Sequence, residues 1–318
     1  MVVRPVLRRL LCDHDLVSVK TEKPQILCSE IRANARCSKD PKSGDLACDR
    51  VRAVTNPGET PLADPLGPEF PDTPVPVVQP PPRWHRQLTA LVELTMCSGF
   101  PTQFLLIGIL GTMGLEPMDE SDTLSLRFVF WLSMADSVLL LGLIFYFLRR
   151  HQEHPGEIFL GARPYRRELR LGLVLTPVVL GMALGGVSLL HYLWPVLRNV
   201  PENPFEALLS SPGDAAVFAV VAVVAGGVRE ELQRAFVLRR FEQHLGGGAV
   251  GVVVFSLAFG LGHALQGWDS AVVTALLGVV WGIVYLVRRS VVSTIVSHAG
   301  FNMTQIVLAL AGASAAAR

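Results

Sequence analysis

The sequence predicts an all-α fold: a polytopic transmembrane helical bundle of about seven helices that follows a disordered N-terminal tail. Half of the 318 residues are apolar, and the mean hydropathy of +0.42 indicates a lipid environment. The apolar residues form runs close to the roughly 20 residues that cross a hydrocarbon core. We expect helices because a span must satisfy its own backbone hydrogen bonds and the runs lack the alternation of barrel strands.

The predicted tail covers residues 1–85. All four lysines lie within the first 42 residues, and ten prolines fall between Pro57 and Pro82. A segment of this composition cannot bury enough apolar surface to offset the entropy of ordering it. We therefore divide the chain into a Pro-rich tail over 1–85, transmembrane helices with a basic cytosolic loop over 86–170, and a membrane-embedded core over 171–312.

Seven apolar runs follow the tail, and the charges between them predict an orientation. The runs lie at approximately 88–114, 124–148, 171–194, 216–238, 250–267, 270–287 and 291–312. Arginines are concentrated after the second, fourth and sixth runs, whereas the alternate connections are mostly acidic. Because basic loops remain in the cytosol, we expect an integral, multi-pass protein of the plasma membrane with a cytosolic N-terminus, in contact with membrane lipid.

Charge balance and cysteine spacing exclude two other classes of protein. The 28 lysines and arginines nearly cancel 27 aspartates and glutamates, so no excess positive charge is present to bind nucleic acid. The five cysteines form no CxxC pair, which argues against a zinc ribbon or a disulfide framework.

In the second half of the chain, polar side chains stand out in three predicted spans; such groups are costly in lipid and indicate a buried partner or a function. The residues, with one aromatic neighbour, are Glu230, Glu231 and Arg234 in the fourth run, Phe259 and His263 in the fifth, and His298 and Asn302 in the seventh. The last two are four residues apart, which places them on one helical face. If these groups share one layer of the bundle, they form a single site.

The residue types favour hydrolysis and leave two mechanisms open. A carboxylate beside an imidazole can deprotonate water, and a second imidazole with an amide can donate hydrogen bonds to the resulting oxyanion. The same carboxylate and imidazoles, Glu230, His263 and His298, are suitable zinc ligands with one open position.

At these residues the sequence resembles the CPBP family of intramembrane endopeptidases, which includes CAAX proteases and bacteriocin-processing enzymes. The family's three motifs are EExxxR, FxxxH and HxxxN/B, and they occur here in that order over about residues 170–312. One position departs from the pattern, because Ala235 stands where the family has arginine, and Arg234 precedes it.

The resemblance implies a role for each matching residue. Glu230 and His263 would activate water, and His298 and Asn302 would form the oxyanion site. Glu231, Arg234 and Phe259 would support these groups. The substrate would be a peptide or a membrane-anchored protein that reaches the site from the cytosol or laterally from lipid. No cofactor is expected, with zinc as the alternative.

Other interpretations of the polar residues remain. A non-catalytic membrane scaffold or an immunity-type binding protein could keep the charged cluster for structure, and a transporter is a third choice. For Asp136 and Glu93, which also lie in apolar runs, we expect helix-to-helix hydrogen bonding or an interfacial position rather than chemistry.

Overall fold

A computed structural model describes residues 37–39, 46–48, 82–201 and 203–316. The chain divides into two units, residues 1–76 and 77–318. In the first unit, β1 (Cys37–Lys39) pairs antiparallel with β2 (Leu46–Cys48). These strands lie within the predicted disordered tail, and the rest of that prediction before Pro82 lies outside the described residues.

The second unit is helical. Its α-helices are α1 (Arg83–Met96), α2 (Phe100–Thr112), α3 (Leu126–Arg150), the short α4 (Pro155–Phe159), α5 (Tyr165–Leu193), α6 (Pro212–Val221), α7 (Glu230–His244), α8 (Gly248–Leu261), α9 (Trp268–Arg288) and α10 (Val292–Ala316). A π-helical segment (Ala222–Arg229) joins α6 to α7, and 3₁₀ helices occupy Pro195–Leu197, Pro204–Leu209 and Ala264–Gln266. The prediction of a helical membrane protein is confirmed.

Five stretches of the described chain are long and apolar enough to cross a membrane. They are Arg83–Thr112, which combines α1 and α2, and then Leu126–Arg150, Tyr165–Leu193, Trp268–Arg288 and Val292–Gly312. They correspond to the first, second, third, sixth and seventh predicted runs. The sequence therefore located these spans to within a few residues at most ends.

The fourth and fifth predicted runs differ from simple spans. The fourth lies within a continuous helical path from Pro212 to His244, in which α7 buries charged side chains such as Arg240. The fifth is shorter than predicted, since α8 ends at Leu261 after 14 residues. It ends there because the Phe259 carbonyl interacts with the ring Nδ1 of His263, while the His263 backbone N–H donates to Gly260.

Glycines allow the helices around the site to pack closely. A Cβ atom at Gly227 would lie 2.9 Å from the Cβ of Ala299 on α10, and one at Gly260 would lie 2.5 Å from the Ala271 carbonyl oxygen on α9. Real Cβ atoms do not approach that closely, so any larger residue would separate the helices. These contacts hold α10 against the π-helical segment and α8 against α9.

Candidate active site

All four residues predicted to be catalytic line one cavity of about 590 Å³ within the second unit. Glu230 is the first residue of α7, His263 follows α8, and His298 and Asn302 lie on α10. The three motifs therefore meet at one place, although they lie on elements far apart in sequence. The i,i+4 spacing on α10 does place both of its polar residues on the cavity side.

Glu230 has a carboxylate oxygen without a hydrogen bond. Its Oε2 atom is shielded from solvent and accepts no hydrogen bond from any described residue. The nearest charged groups are His298, whose Nε2 lies 3.8 Å from Oε2, and Arg229, whose Nη1 lies 3.8 Å from Oε1. A buried carboxylate oxygen without a partner costs free energy, so its presence requires an explanation, and a catalytic role is one.

The neighbouring carboxylate, Glu231, is bound through one oxygen, while its Oε2 is buried without a hydrogen bond from the described residues. Its Oε1 atom pairs with Nη1 of Arg234 and interacts with Nδ1 of His298 at 2.9 Å. Because a carboxylate accepts hydrogen bonds, this contact assigns the proton to Nδ1 of His298. The Glu231 contact therefore fixes the ring and leaves Nε2 facing Glu230.

Arg234 occupies a cage of three aromatic rings. Its guanidinium carbon lies 4.9 Å from the ring centroid of Phe259, 5.2 Å from that of Phe255 and 5.5 Å from that of Trp281. Cation–π attraction in such a desolvated place is worth about 2 kcal/mol. Arg234 thus points into the protein despite its shifted register, while Ala235 lies in the apolar core.

His263 is held by Phe259 rather than by a carboxylate. Its Nδ1 lies 2.8 Å from the Phe259 carbonyl oxygen, and the two rings meet edge to face at 4.9 Å between centroids. The structure records no hydrogen bond or ion pair between His263 and Glu230, which share only the cavity. Phe259 also contacts the ring of His298, so it supports both imidazoles.

Asn302 is anchored to the π-helical segment. Its Nδ2 donates to the Ala222 carbonyl oxygen at 3.1 Å, which uses one of the two N–H bonds on that nitrogen. Gly226 makes this possible, because a Cβ there would lie 2.6 Å from Nδ2. π-helical turns widen a helix locally and are frequent at functional sites.

Two residues that shape the site, Trp281 and Arg229, were not predicted, whereas Asp136 makes the helix-to-helix hydrogen bonds expected of it. Trp281 stacks on His298 with centroids 4.1 Å apart and planes 18° from parallel, and its Nε1 donates to Ser297. Arg229 pairs with Asp136, which also accepts a hydrogen bond from Thr102. Charge within an apolar run signalled Arg229 and Asp136, but nothing in the sequence indicated that the two residues pair.

The donor set does not form a metal site in this conformation. In the described part of the chain, no three or more His, Cys, Asp or Glu side chains are grouped so that they could hold an ion. The Nδ1 atoms of His298 and His263 interact with Glu231 and Phe259 respectively, which leaves each Nε2 available to water or another ligand. No chemical step is routed through zinc.

Comparison with known proteins identifies the segment that carries the site. Residues 212–304 match the family described as type II CAAX prenyl endopeptidase Rce1-like. No curated protein and no solved structure matches the chain. The matched segment includes all three motifs and lies within the membrane-associated helical unit, which agrees with the resemblance drawn from the motifs. Over residues 212–304 the chain is therefore similar to the type II CAAX prenyl endopeptidases.

Proposed function

We propose that the protein is an intramembrane endopeptidase in which Glu230 is the general base. One observation carries the proposal: Oε2 of Glu230 is buried without a hydrogen bond from the described residues, in a cavity also lined by His263, His298 and Asn302. The family match supports a CAAX-type protease in general. The assignment of individual roles is our own.

In the proposed reaction, Glu230 and His263 hold a water molecule against the scissile peptide. The Glu230 carboxylate takes one proton while the water oxygen forms a bond to the carbonyl carbon. Phe259 supports this step, because it fixes Nδ1 of His263 and leaves Nε2 as the nitrogen that can contact water.

The tetrahedral intermediate requires hydrogen-bond donors for its oxyanion. Asn302 retains one N–H bond on Nδ2 beyond its contact with Ala222. His298 is the second donor in the proposal as the imidazolium, with its Nδ1–H on Glu231 and its Nε2–H directed to the oxyanion. Donors that are oriented before the reaction stabilise an oxyanion by about 3 kcal/mol each. Glu230 then returns its proton to the leaving amine as the C–N bond breaks, so water is consumed and two termini form.

A structural role accounts for only part of the charged cluster. Glu231 and Arg234 are each 1% exposed and pair with each other, as a scaffold would require. Glu231 also has a buried oxygen without a hydrogen bond from the described residues, but only Glu230 lines the cavity, with 18% of its side chain exposed. The scaffold alternative gives no reason for a carboxylate that faces the cavity, whereas a general base must be reached by water.

The test compares membrane protein termini between cells with wild-type protein and cells with Glu230→Gln. The amide is nearly isosteric but cannot accept a proton, so we expect new termini to disappear while the protein still inserts. Glu157→Gln is the matched control, because Glu157 is exposed on α4, away from the cavity. Termini that persist in Glu230→Gln cells would exclude the general-base role.

The zinc alternative has its own test. Under the proposed mechanism, cleavage by purified protein survives exhaustive treatment with a strong zinc chelator, and elemental analysis finds no stoichiometric metal. Loss of cleavage on chelation, with recovery on adding zinc alone, would assign Glu230, His263 and His298 to metal binding instead.

A further inference from the structure

The cavity extends to one side only of the layer that contains Glu230. On α3 its lining residues all lie between positions 129 and 136, whereas the basic end of that helix is at Arg150. On α9 they lie between 270 and 281, and the basic end is at Arg288. Both helices therefore line the cavity with the part that is remote from Arg150 and Arg288, although Arg127 lies at the cavity end of α3.

The helices that carry the catalytic candidates also line the cavity with the part that lies away from the basic turns. The lining residues of α10 run from His298 to Ala309, away from the arginine turn that precedes this helix. Along α6, the π-helical segment and α7, they run from Phe218 to Glu230, whereas Arg239 and Arg240 come later. Glu230 is thus at the floor of the cavity, on the side towards the basic loops.

Below that floor, the basic half of the bundle is packed with apolar side chains. Leu140, Ile144 and Leu148 on α3 and Phe236 and Leu238 on α7 are all fully buried in one cluster. A polypeptide coming from the basic side would have to displace this core.

Ion pairs also hold the helices together at the basic end of the bundle. Arg240 contacts Glu93 and Glu153, each at 2.6 Å, and so ties α7 to α1 and to the loop after α3. Burial alone raises the pKa of Glu153, but hydrogen bonds from Arg240 and Gln243 bring it below its ordinary value. Glu153 is therefore ionised at neutral pH, which makes its contact with Arg240 charge-assisted.

The opposite end of the cavity is lined by connections instead of core. The 3₁₀ helix Pro204–Leu209 contributes Phe205 and the exposed Glu206, and the 3₁₀ helix Ala264–Gln266 contributes Gln266. These connections are the arginine-poor ones. The bias of arginine towards the cytosol places them on the extracytosolic side.

Amide side chains are concentrated near this end. Asn203, Gln266 and the exposed Gln305 line the cavity there, and each amide can both donate and accept hydrogen bonds. The backbone of an extended polypeptide offers alternating donors and acceptors of the same kind. The lining is thus suited to unfolded peptide chain.

We infer that the cavity opens to the extracytosolic side of the membrane and that its substrate is an extended polypeptide segment presented there. This differs from the cytosolic or lateral approach expected from the sequence alone. The inference rests on the proposed function for the reaction, but the direction of access is a separate property. It selects exported proteins and the outer juxtamembrane segments of membrane proteins as the substrate class.

Cysteine labelling measures that direction without any cleavage assay. The five native cysteines are replaced in the full chain, with Cys97→Ala because that residue is buried. Glu206→Cys and Gln305→Cys then report on the cavity end, and Arg163→Cys, exposed in the basic loop, is the matched control. A membrane-impermeant maleimide is added to sealed right-side-out vesicles and to permeabilised ones.

Both cavity cysteines are expected to react with the maleimide in sealed vesicles. The cysteine of Arg163→Cys is expected to react only after the vesicles are permeabilised. The reverse pattern would overturn the inference by inverting the orientation. Failure of both cavity cysteines to react on either side would also overturn it, because the cavity would then be closed to water. If the labelling is as expected but termini persist in Glu230→Gln cells, the proposed function fails and the direction of opening stands.

Discussion

Replacing Arg234 with methionine removes the charge that faces Glu231 and keeps a long apolar side chain among the three rings. Glu231 would retain its contact with His298 at 2.9 Å but lose its guanidinium partner. Breaking a buried ion pair by removing one partner costs about 3–5 kcal/mol, because the other charge is left uncompensated. Methionine packs well against aromatic rings, so little of this loss comes from packing.

Proton uptake by Glu231 limits the cost in the variant. Neutralising an ordinary glutamate, with a pKa of about 4.3, costs about 1.4 kcal/mol per pH unit, so roughly 4 kcal/mol at pH 7 and about 1 kcal/mol at pH 5. The folded variant then binds one proton more than the unfolded chain, so its stability rises as pH falls. The difference from wild type should narrow by about 1.4 kcal/mol per unit between pH 7 and pH 5.

The assay is denaturant unfolding in mixed micelles at both pH values, comparing wild type, Arg234→Met and the double variant Glu231→Gln/Arg234→Met. The double variant contains neither charge, and its glutamine still accepts from His298, so it should recover most of the lost stability. A loss in Arg234→Met that does not change with pH, or a double variant as unstable as the single one, would refute the assignment of Glu231 and Arg234 as a compensating pair.

Two further substitutions test the surroundings of the site. Asp136→Asn should slow cleavage about tenfold, which corresponds to about 1.4 kcal/mol in the activation barrier. Arg229 would lose its charged partner and could turn to form an ion pair with the Glu230 carboxylate. An unchanged cleavage rate would rule out this positioning role of Asp136. Gly227→Ala should destabilise the fold by about 1–3 kcal/mol, because the new methyl group would meet α10 at 2.9 Å. Gly185→Ala is its control, with open space around the site on α5, and equal unfolding free energies for the two variants would contradict the close-packing argument.

The helices and the composition of the site could be predicted because both depend on local pattern. Runs of apolar residues fixed five spans, and polar residues within runs identified Glu230, His263, His298 and Asn302. Helix lengths alone could not show that these four side chains meet at one depth in the bundle. Their meeting depends on the early end of α8, where a side chain takes the carbonyl that the next backbone turn would use.

The partners of these residues were harder to predict because they come from distant parts of the chain. Trp281 lies in an apolar run and reads as core, yet its ring covers His298. Asp136 lies 93 residues before Arg229, and no periodicity links the two positions. The π-helical segment could not be predicted from the sequence either, since its Gly226–Gly227 pair is also typical of ordinary close helix packing.

The two consecutive glutamates have different surroundings, and the proposed mechanism gives them different tasks. Adjacent positions on a helix point about 100° apart, so Glu230 faces the cavity while Glu231 is enclosed with Arg234 and His298. In the proposed mechanism, Glu231 fixes the direction of the His298 ring before substrate binds, which is the preorganisation that oxyanion stabilisation requires. Loss of Glu231 should therefore reduce folding stability and activity together, whereas loss of Glu230 should reduce activity alone.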